Sequence, residues 1–278
     1  MSTLLLAPRT QSPAQAQALA AGWLEVMRAD GRVVLRQGSF RAAAVGDRLF
    51  QAGDALQTGA AASAILELDD GIGRINVAEN TAFTISRLAR LRSGARLTTL
   101  DLSQGQVRLN VRKFTHAQSR LEIRSPAGVA AVRGTEYGVS LSDDGRMVVA
   151  TASGLVTASN RGRRVFLEAN FGSRLRPGEF PSPPQRLDRQ LLLQRSTVEL
   201  SGQQLYIRGQ IDPLNHVSVA GIEIPVDNTG QFDTSITLPD DPLIFDFDIV
   251  VSNALGELRI YPLLNWAGPA PQAERPRP

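Results

Sequence analysis

The chain has 278 residues and contains no cysteine, one lysine, two histidines and few aromatic residues. The absence of cysteine excludes disulfide bonds, thiol nucleophiles and cysteine-based zinc sites. No run of about 18 apolar residues occurs, so the sequence predicts no transmembrane helix. The two histidines, His116 and His216, each lie alone in a turn-like polar context, whereas a catalytic triad or a zinc site needs companion residues. The sequence therefore predicts a protein that is not an enzyme and that holds no cofactor or metal.

Charge divides the chain into two parts. Residues 23–186 hold 23 basic and 15 acidic side chains, a net charge of +8, whereas residues 197–262 hold 2 basic and 10 acidic ones, a net charge of −8. This reversal indicates two separate units, whose mutual attraction is screened beyond roughly 8 Å at physiological salt. The arginines are spread over many predicted strands without interleaved aromatic residues, so we expect no nucleic-acid partner.

The two ends of the chain differ in composition from the rest. Residues 1–22 are rich in Ala, Gln and Pro; the apolar run at residues 4–7 is too short for a signal peptide, yet residues 14–21 have the small-residue alternation of a cleavage region. We expect residues 1–22 to be a disordered leader or an export-signal remnant. Residues 265–278, rich in Pro and Ala, are expected to form a disordered tail.

Residues 23–177 carry a β pattern throughout. Asp30-Gly31 lies between two apolar alternations, which is a strong hairpin signal, and Asp70-Gly71 follows the alternating run at residues 63–68. Short strands recur every 8–12 residues, and no window has a persuasive 3.6-residue apolar period. The sequence predicts an all-β domain, either a β-roll or β-helix-like stack or a sandwich.

A second β region follows a proline-rich stretch. Residues 178–195 are predicted to be a linker that ends in a short helix over residues 187–195. Residues 196–264 contain seven predicted short strands, the last but one at residues 245–252, and this number is expected of a small immunoglobulin-like sandwich. The sequence thus predicts two all-β domains.

Ordered motifs in the first domain resemble those of a known family. Val45-Gly46-Asp47 is followed by GDALQTG at residues 53–59, AILELDDG at residues 64–71 and LSQGQV at residues 102–107. The last motif, SPAGVAAVRGTEY at residues 125–137, looks like a Thr-Pro followed by an Arg-Gly-Thr-aromatic signature. Together these pieces resemble the FecR domain of bacterial envelope and anti-sigma regulator proteins.

The resemblance implies an exported β-rich domain that takes part in signalling across the bacterial envelope. In the iron-citrate regulators this domain lies in the periplasm and receives a signal from an outer-membrane transporter. Here the sequence shows no transmembrane helix and no helical sigma-binding segment before the domain, so we expect the stand-alone type. We predict a periplasmic or extracellular interaction scaffold with an envelope protein as its partner; the alternative is an accessory protein that binds cell-wall polysaccharide or peptidoglycan.

The family-motif residues are expected to be structural. They are Gly53, Asp54, Thr58, Gly59, Asp70, Gly71, Gly105, Pro126, Arg133, Gly134, Thr135 and Tyr137. Gly134 is expected to form a bend, and Arg133 and Thr135 to bond neighbouring backbone, although contact with a partner is the other interpretation.

The charged residues allow three further interpretations. Asp69-Asp70 and Asp143-Asp144 precede glycines and suit hairpin turns better than calcium sites, since further spaced ligands are missing. The basic residues 161–164 suit a hairpin tip better than a site for acidic polymer or lipid. No pair of carboxylates is singled out for glycoside hydrolysis.

Overall fold

The computed structural model describes residues 18–20, 22–238 and 248–262. Every regular element in these residues is a β-strand, which confirms the all-β fold class. No helix that could span a membrane occurs in the part of the chain that is described. The predicted leader and tail, and the first three residues of the strand expected at residues 245–252, lie largely or wholly outside it.

The described strands number 25 in chain order. Those before the proline-rich stretch are β1 (Ala18–Ala20), β2 (Leu24–Asp30), β3 (Val33–Gln37), β4 (Ser39–Ala42), β5 (Arg48–Leu49), β6 (Ala55–Thr58), β7 (Ser63–Leu68), β8 (Gly73–Val77), β9 (Ala82–Leu91), β10 (Arg96–Val111), β11 (Arg120–Ser125), β12 (Gly128–Val132), β13 (Glu136–Leu141), β14 (Met147–Ser153), β15 (Leu155–Asn160), β16 (Arg163–Glu168) and β17 (Phe171–Leu175). The remainder are β18 (Gln185–Arg186), β19 (Gln194–Ser201), β20 (Gln204–Gln210), β21 (Asn215–Val219), β22 (Ile222–Ile224), β23 (Gln231–Thr237), β24 (Asp248–Asn253) and β25 (Leu258–Pro262).

Strands β2–β18 form a first unit of two facing sheets. Sheet A has the order β4-β3-β6-β9-β10-β11-β12-β15-β16, and β1 pairs with the end of β9. Sheet B has the order β5-β2-β7-β8-β10-β13-β14-β17-β18. All of these pairings are antiparallel except that of β10 with β11, which is parallel. Both sheets gain strands largely in chain order, so the unit grows along one direction by hairpins.

Strand β10 joins the two sheets. Its first half pairs with β9 and β11 in sheet A, and its second half pairs with β8 and β13 in sheet B. The change of sheet falls at Gly105, which has a φ of 83°. A Cβ at this position would also collide with Thr81, so glycine is required where the strand bends.

The core of the first unit lies between the two sheets. Strand β7 shows why these sequences form strands: Ala64, Leu66 and Leu68 are buried on one face, while the alternate residues are partly exposed. Burial of one such leucine contributes about 1.5–3 kcal/mol. The same alternation along neighbouring strands builds one apolar layer, which holds the sheets together.

The proline-rich stretch packs on the first unit, and the helix predicted at residues 187–195 is wrong. Ser182 bonds to the backbone of Arg174, and β18 pairs with β17. After β18 the chain turns around Asp188, whose carboxylate accepts hydrogen bonds from the N–H groups of residues 190 and 192. Leu191 has a φ of 53° and is buried in the second core. Local capping and this burial outweigh the helical tendency of a segment too short to form a helix alone.

Strands β19–β25 form a second unit. A three-stranded sheet, β19-β20-β23, and a four-stranded sheet, β22-β21-β24-β25, enclose their own apolar core. The seven strands and their division between two sheets suit a sandwich. The immunoglobulin-like relationship of this unit stays a prediction.

The second unit covers part of the outer face of sheet B. Strand β14 is buried on both sides, because Met147 and Val149 face the first core while Val148 and Ala150 contact Leu214 and neighbouring residues of the second unit. On β13, Gly138 faces the carbonyl group of Ala254 so closely that a Cβ would overlap it. The outer face of sheet A has no such cover among the described residues.

Candidate functional site

Thr58 and Gly105, from two separate motifs, meet at a buried threonine. The hydroxyl of Thr58 donates to the carbonyl of Ala78 at 2.6 Å and accepts from the N–H of Thr81 at 2.9 Å. The hydroxyl of Thr81 accepts from the N–H of Gln106, next to Gly105, at 2.9 Å. Thr81 is fully buried; it is a structural residue that the motif reading missed.

Asp54 holds a turn at the start of β6. It is 1% exposed, and one carboxylate oxygen accepts from the N–H groups of Phe50 at 2.9 Å and Gln51 at 3.2 Å and from the side chain of Gln37 at 3.3 Å. Gly53 has a φ of 94°, and its N–H bonds to sheet A at Ile85. Gly59 likewise bonds by its N–H to the carbonyl of residue 32. These three motif members therefore serve the fold.

The aspartate pairs form turns in the structure. Asp69 accepts from the N–H of Trp23 at 2.9 Å and pairs with Arg96, while Gly71 takes a φ of 70° after the exposed Asp70. Asp144 accepts from the N–H of residue 146 and pairs with residue 176 at 3.0 Å. Within the described residues, no group of three His, Asp or Glu side chains is placed to hold a metal.

The signature at residues 125–137 has a buried half and an exposed half. Gly134 has a φ of 130°, and a Cβ there would collide with the backbone of Lys113, so the expected bend is present. Thr135 and Tyr137 are buried, and neither side-chain hydroxyl has a hydrogen-bond partner. The expected hydrogen bond between Thr135 and neighbouring backbone is therefore made by its carbonyl group and not by its side chain. Burial raises the pKa of Tyr137. Pro126 lies in the exposed turn between β11 and β12.

The exposed half of the signature opens on a groove across the outer face of sheet A. Arg133 is exposed; its carbonyl accepts from the N–H of Phe114, but its guanidinium makes no hydrogen bond or ion pair with any described residue. The bond expected from its side chain to backbone is therefore absent. The groove is about 1000 Å³ and runs over β11, β12, β15 and the edge strand β16. We call it the sheet A groove.

The sheet A groove combines an apolar floor with a basic rim. Ladder register places Glu122, Ala131, Thr157 and Phe166 in one row across four strands, and Leu155, at 49% exposure, lies beside this row. Five cations and one carboxylate line the groove: Lys113, Arg120, Arg124, Arg133, Arg164 and Glu122. Glu122 pairs with Arg120 and Arg124 at 3.1 and 2.6 Å, which leaves a net positive surface.

A second polar cluster lies where the two units meet. We call it the junction cluster; it consists of Ser140, Ser142, Arg146, His216 and Glu223. His216 on β21 is 8% exposed. Its Nε2 lies 2.6 Å from the hydroxyl of Ser140, and its Nδ1 lies 2.9 Å from Glu223 Oε1, 3.2 Å from Arg146 Nη2 and 3.3 Å from the hydroxyl of Ser142. The interpretation of His216 as an isolated residue is therefore wrong, because its partners come from strands 70 or more residues away as well as from its own unit.

The order Ser140, His216 and Glu223 is that of nucleophile, base and orienting carboxylate in hydrolases. Ser140, however, lies inside β13, which pairs with β10 on one side and β14 on the other. The backbone N–H groups beside its hydroxyl are used in these ladders, so the described strands provide no oxyanion site there. The Nδ1 side of the ring also faces Arg146. We therefore interpret the cluster as a contact between units and not as a catalytic centre.

Burial sets the charge states in the junction cluster. Burial lowers the pKa of His216, an effect that the hydrogen bond to Glu223 opposes and the charge of Arg146 reinforces. Burial also lowers the pKa of Arg146 to about 10. For Glu223, burial raises the pKa, but the hydrogen bond and charge of His216 more than offset it, so its pKa lies below the usual value.

Arginines of the first unit reach backbone carbonyls of the second. Arg146 donates to the carbonyls of Pro213 and Asn215, both at 3.0 Å, and Arg108 donates to that of Leu255 at 3.1 Å. Arg176 donates to the carbonyl of residue 226 at 3.1 Å. These cations of the first unit thus bond neutral carbonyl groups of the second unit.

The fold and its motifs define a class: an all-β protein whose first unit, two facing sheets, contacts a smaller β unit through polar and apolar residues. Residues 54–157 match the family model described as FecR protein. This match confirms the resemblance of the motifs to the FecR domain. No curated protein matches the chain.

Two crystal structures are similar to part of the chain. Both are described as a "putative anti-sigma factor" from Parabacteroides distasonis. The one at 2.50 Å resolution has 14% sequence identity and a TM-score of 0.40, and the match covers 48% of this chain and 60% of that one. The one at 1.65 Å resolution has 16% identity and a TM-score of 0.40, and the match covers 52% and 66%. The match thus spans less than two thirds of either chain.

Proposed function

We propose that this protein is a non-catalytic envelope signalling or assembly protein that binds a protein partner in the sheet A groove. The FecR domain at residues 54–157 supports the envelope role. The location we propose is the periplasm or the cell exterior. The partner is a protein that presents carboxylates around an apolar side chain.

The observation that carries this proposal is the state of Arg133. This arginine belongs to the family signature, yet its guanidinium extends to solvent beside Leu155 and bonds no described residue. A structural arginine would be expected to bond nearby carbonyls, as Arg146 does at the junction. An arginine beside exposed apolar surface is instead typical of binding sites, where arginine is enriched.

The arrangement of the units supports the choice of face. The second unit occupies part of the outer face of sheet B through Val148, Ala150 and Leu214. The sheet A groove stays open, and its basic rim gives it complementarity to an acidic surface, which raises the rate and the specificity of association.

The polysaccharide alternative has less support. A carbohydrate site typically uses a platform of exposed aromatic rings, and the row across the sheet A groove contains one exposed ring, that of Phe166. Trp23 is partly buried, and Arg48 stacks on its ring at 4.9 Å. Phe180 is likewise flanked by Arg161 and Arg163, at 5.3 and 4.6 Å from the ring centroid. Trp266 lies outside the described residues.

Charge reversal in the groove tests the proposal. The double variant Arg133→Glu, Arg164→Glu should retain the fold, because both side chains are exposed, but should lose at least tenfold in capture of the envelope partner. The control that matches this change in net charge is the pair Arg32→Glu, Arg186→Glu, at two exposed arginines that do not line the groove. Equal capture by the groove variant and the control, or retention of the protein by isolated cell-wall polysaccharide alone, would overturn the proposal.

A further inference from the structure

The junction cluster places one titratable ring between two charges of opposite sign. Glu223 on β22 faces Nδ1 of His216 at 2.9 Å, and Arg146, just before β14, faces the same nitrogen at 3.2 Å. The hydroxyls of Ser140 on β13 and of Ser142, just after it, contact the ring. Beyond these contacts, the carboxylate of Asp144 favours the charged ring, while the like charges of Arg174 and Arg176 act on Arg146.

The neutral ring fits this environment with its hydrogen on Nδ1, where it donates to Glu223 and accepts from Ser140 at Nε2. The other tautomer would direct the Nδ1 lone pair at the carboxylate of Glu223. Protonation adds a hydrogen on Nε2 and a positive charge on the ring, whose Nδ1 lies 3.2 Å from the guanidinium of Arg146. Arg146 cannot withdraw without breaking its bonds to the carbonyls of Pro213 and Asn215.

The same residues join the two units. His216 and Glu223 belong to the second unit, whereas Ser140, Ser142 and Arg146 belong to the first. The apolar contact between the units is formed by Val148, Ala150 and Leu214. Each of these residues lies within four positions of Arg146 or His216 in the sequence. A change of charge at the ring therefore acts directly on the contact between units.

We propose that His216 is a pH-sensitive latch: the neutral ring holds the second unit against sheet B, and protonation in mildly acidic solution weakens this contact. This regulation goes beyond the proposed binding function and does not depend on it. The sign follows from the environment. Since burial and Arg146 lower the pKa of the ring in the closed state, an open junction binds the proton more tightly, and acid favours opening. The stabilising effect is fully present above the ordinary histidine value near 6.5 and is lost as the pH falls toward the lower closed-state value.

Because the chain has no cysteine, a single introduced thiol can report opening. In the full chain, Ala150→Cys places a thiol in the junction, and Ala158→Cys places one in the core between sheets A and B; both sites are buried. The rate of thiol labelling, divided by that of a free thiol at the same pH, gives the opening constant. We expect the Ala150→Cys constant to be flat above about pH 7 and to rise below pH 6.5 by up to about tenfold per pH unit. The Ala158→Cys constant should stay flat over this range.

Two histidine variants provide the controls. His216→Gln keeps hydrogen-bonding capacity but cannot be charged, so the rise at residue 150 should vanish; His116→Gln, in a loop of the first unit, should leave it unchanged. Proton NMR of the His216 ring in the unmodified chain provides a check that needs no variant, because the pKa of this ring should lie below the ordinary histidine value near 6.5. Glu223→Gln should lower the pKa of His216 further. A flat response in the wild-type background, a rise that persists in His216→Gln, or a pKa of His216 at or above 6.5 would overturn the proposal.

Discussion

Gly138 lies directly against the carbonyl group of Ala254, and no side chain fits between them. The contact joins the middle of β13 to Ala254, the residue that follows β24 in the second unit. It lies next to the apolar patch of Val148 and Leu214. A glycine in the interior of a strand weakens the strand, so its presence here is explained by the close approach of another backbone. The position of the second unit is thus encoded in a strand of the first.

Gly138→Ala should separate or displace the two units. The methyl group overlaps the Ala254 carbonyl, and such overpacking costs typically about 1–3 kcal/mol. We expect faster proteolysis of residues 187–193, which connect the units, with the first unit still folded by circular dichroism. Gly59→Ala is the matched control, because its Cβ would lie 3.5 Å from the nearest atom, an ordinary contact. Equal protease resistance of the two variants would contradict the close-packing account.

Gly134→Ala and Arg133→Ala should change the free energy of unfolding by different amounts, which distinguishes the two halves of the signature. Gly134 combines a φ of 130° with contact against the backbone of residue 113, so alanine should reduce the free energy of unfolding by about 3 kcal/mol or more. Arg133→Ala should change it by less than about 0.5 kcal/mol, as expected for an exposed side chain. Urea unfolding measures both values. Comparable losses in the two variants would mean that Arg133 also serves the fold.

Asp54→Ala should be strongly destabilising. It removes the carboxylate that accepts from the N–H groups of Phe50 and Gln51, and a hydrogen bond to a charged group contributes about 1.5–3 kcal/mol. Asp70→Ala, in an exposed turn position, is the control and should have little effect. Thermal unfolding of the two variants side by side makes the comparison; the same Tm for both would show that the Asp54 bonds do not hold this turn.

Much of the first unit could be predicted from sequence because its signals are local. The turn at Asp30-Gly31 lies between β2 and β3, as the alternation predicts, but the hairpin expected there is wrong, because β2 pairs in sheet B and β3 pairs in sheet A. Gly71 takes the left-handed conformation expected after Asp70. Arg96–Val111 form the single strand β10. Gly105 is a bend within this strand, since pairing partners on both sides of it continue the ladder.

The junction cluster could not be predicted, because its residues are brought together by tertiary contacts. Ser140 and His216 are 76 residues apart, and no local pattern around either one indicates the other. The helix predicted over residues 187–195 is wrong for the same reason, because the burial of Leu191 in the second core depends on residues far away in the sequence. Even so, one signal was available: β14 is apolar at consecutive positions, which is typical of a strand covered on both faces.

Site-specific photocrosslinking from the sheet A groove tests the central claim most directly. A photoreactive amino acid replaces Leu155 in the full chain, and a second version carries it at Met27, which is 43% exposed on β2 in sheet B. The account predicts one discrete envelope-protein adduct from position 155, reduced at least tenfold by Arg133→Glu, and no such adduct from position 27. The same products from both positions, or an adduct at position 155 that Arg133→Glu leaves unchanged, would contradict it.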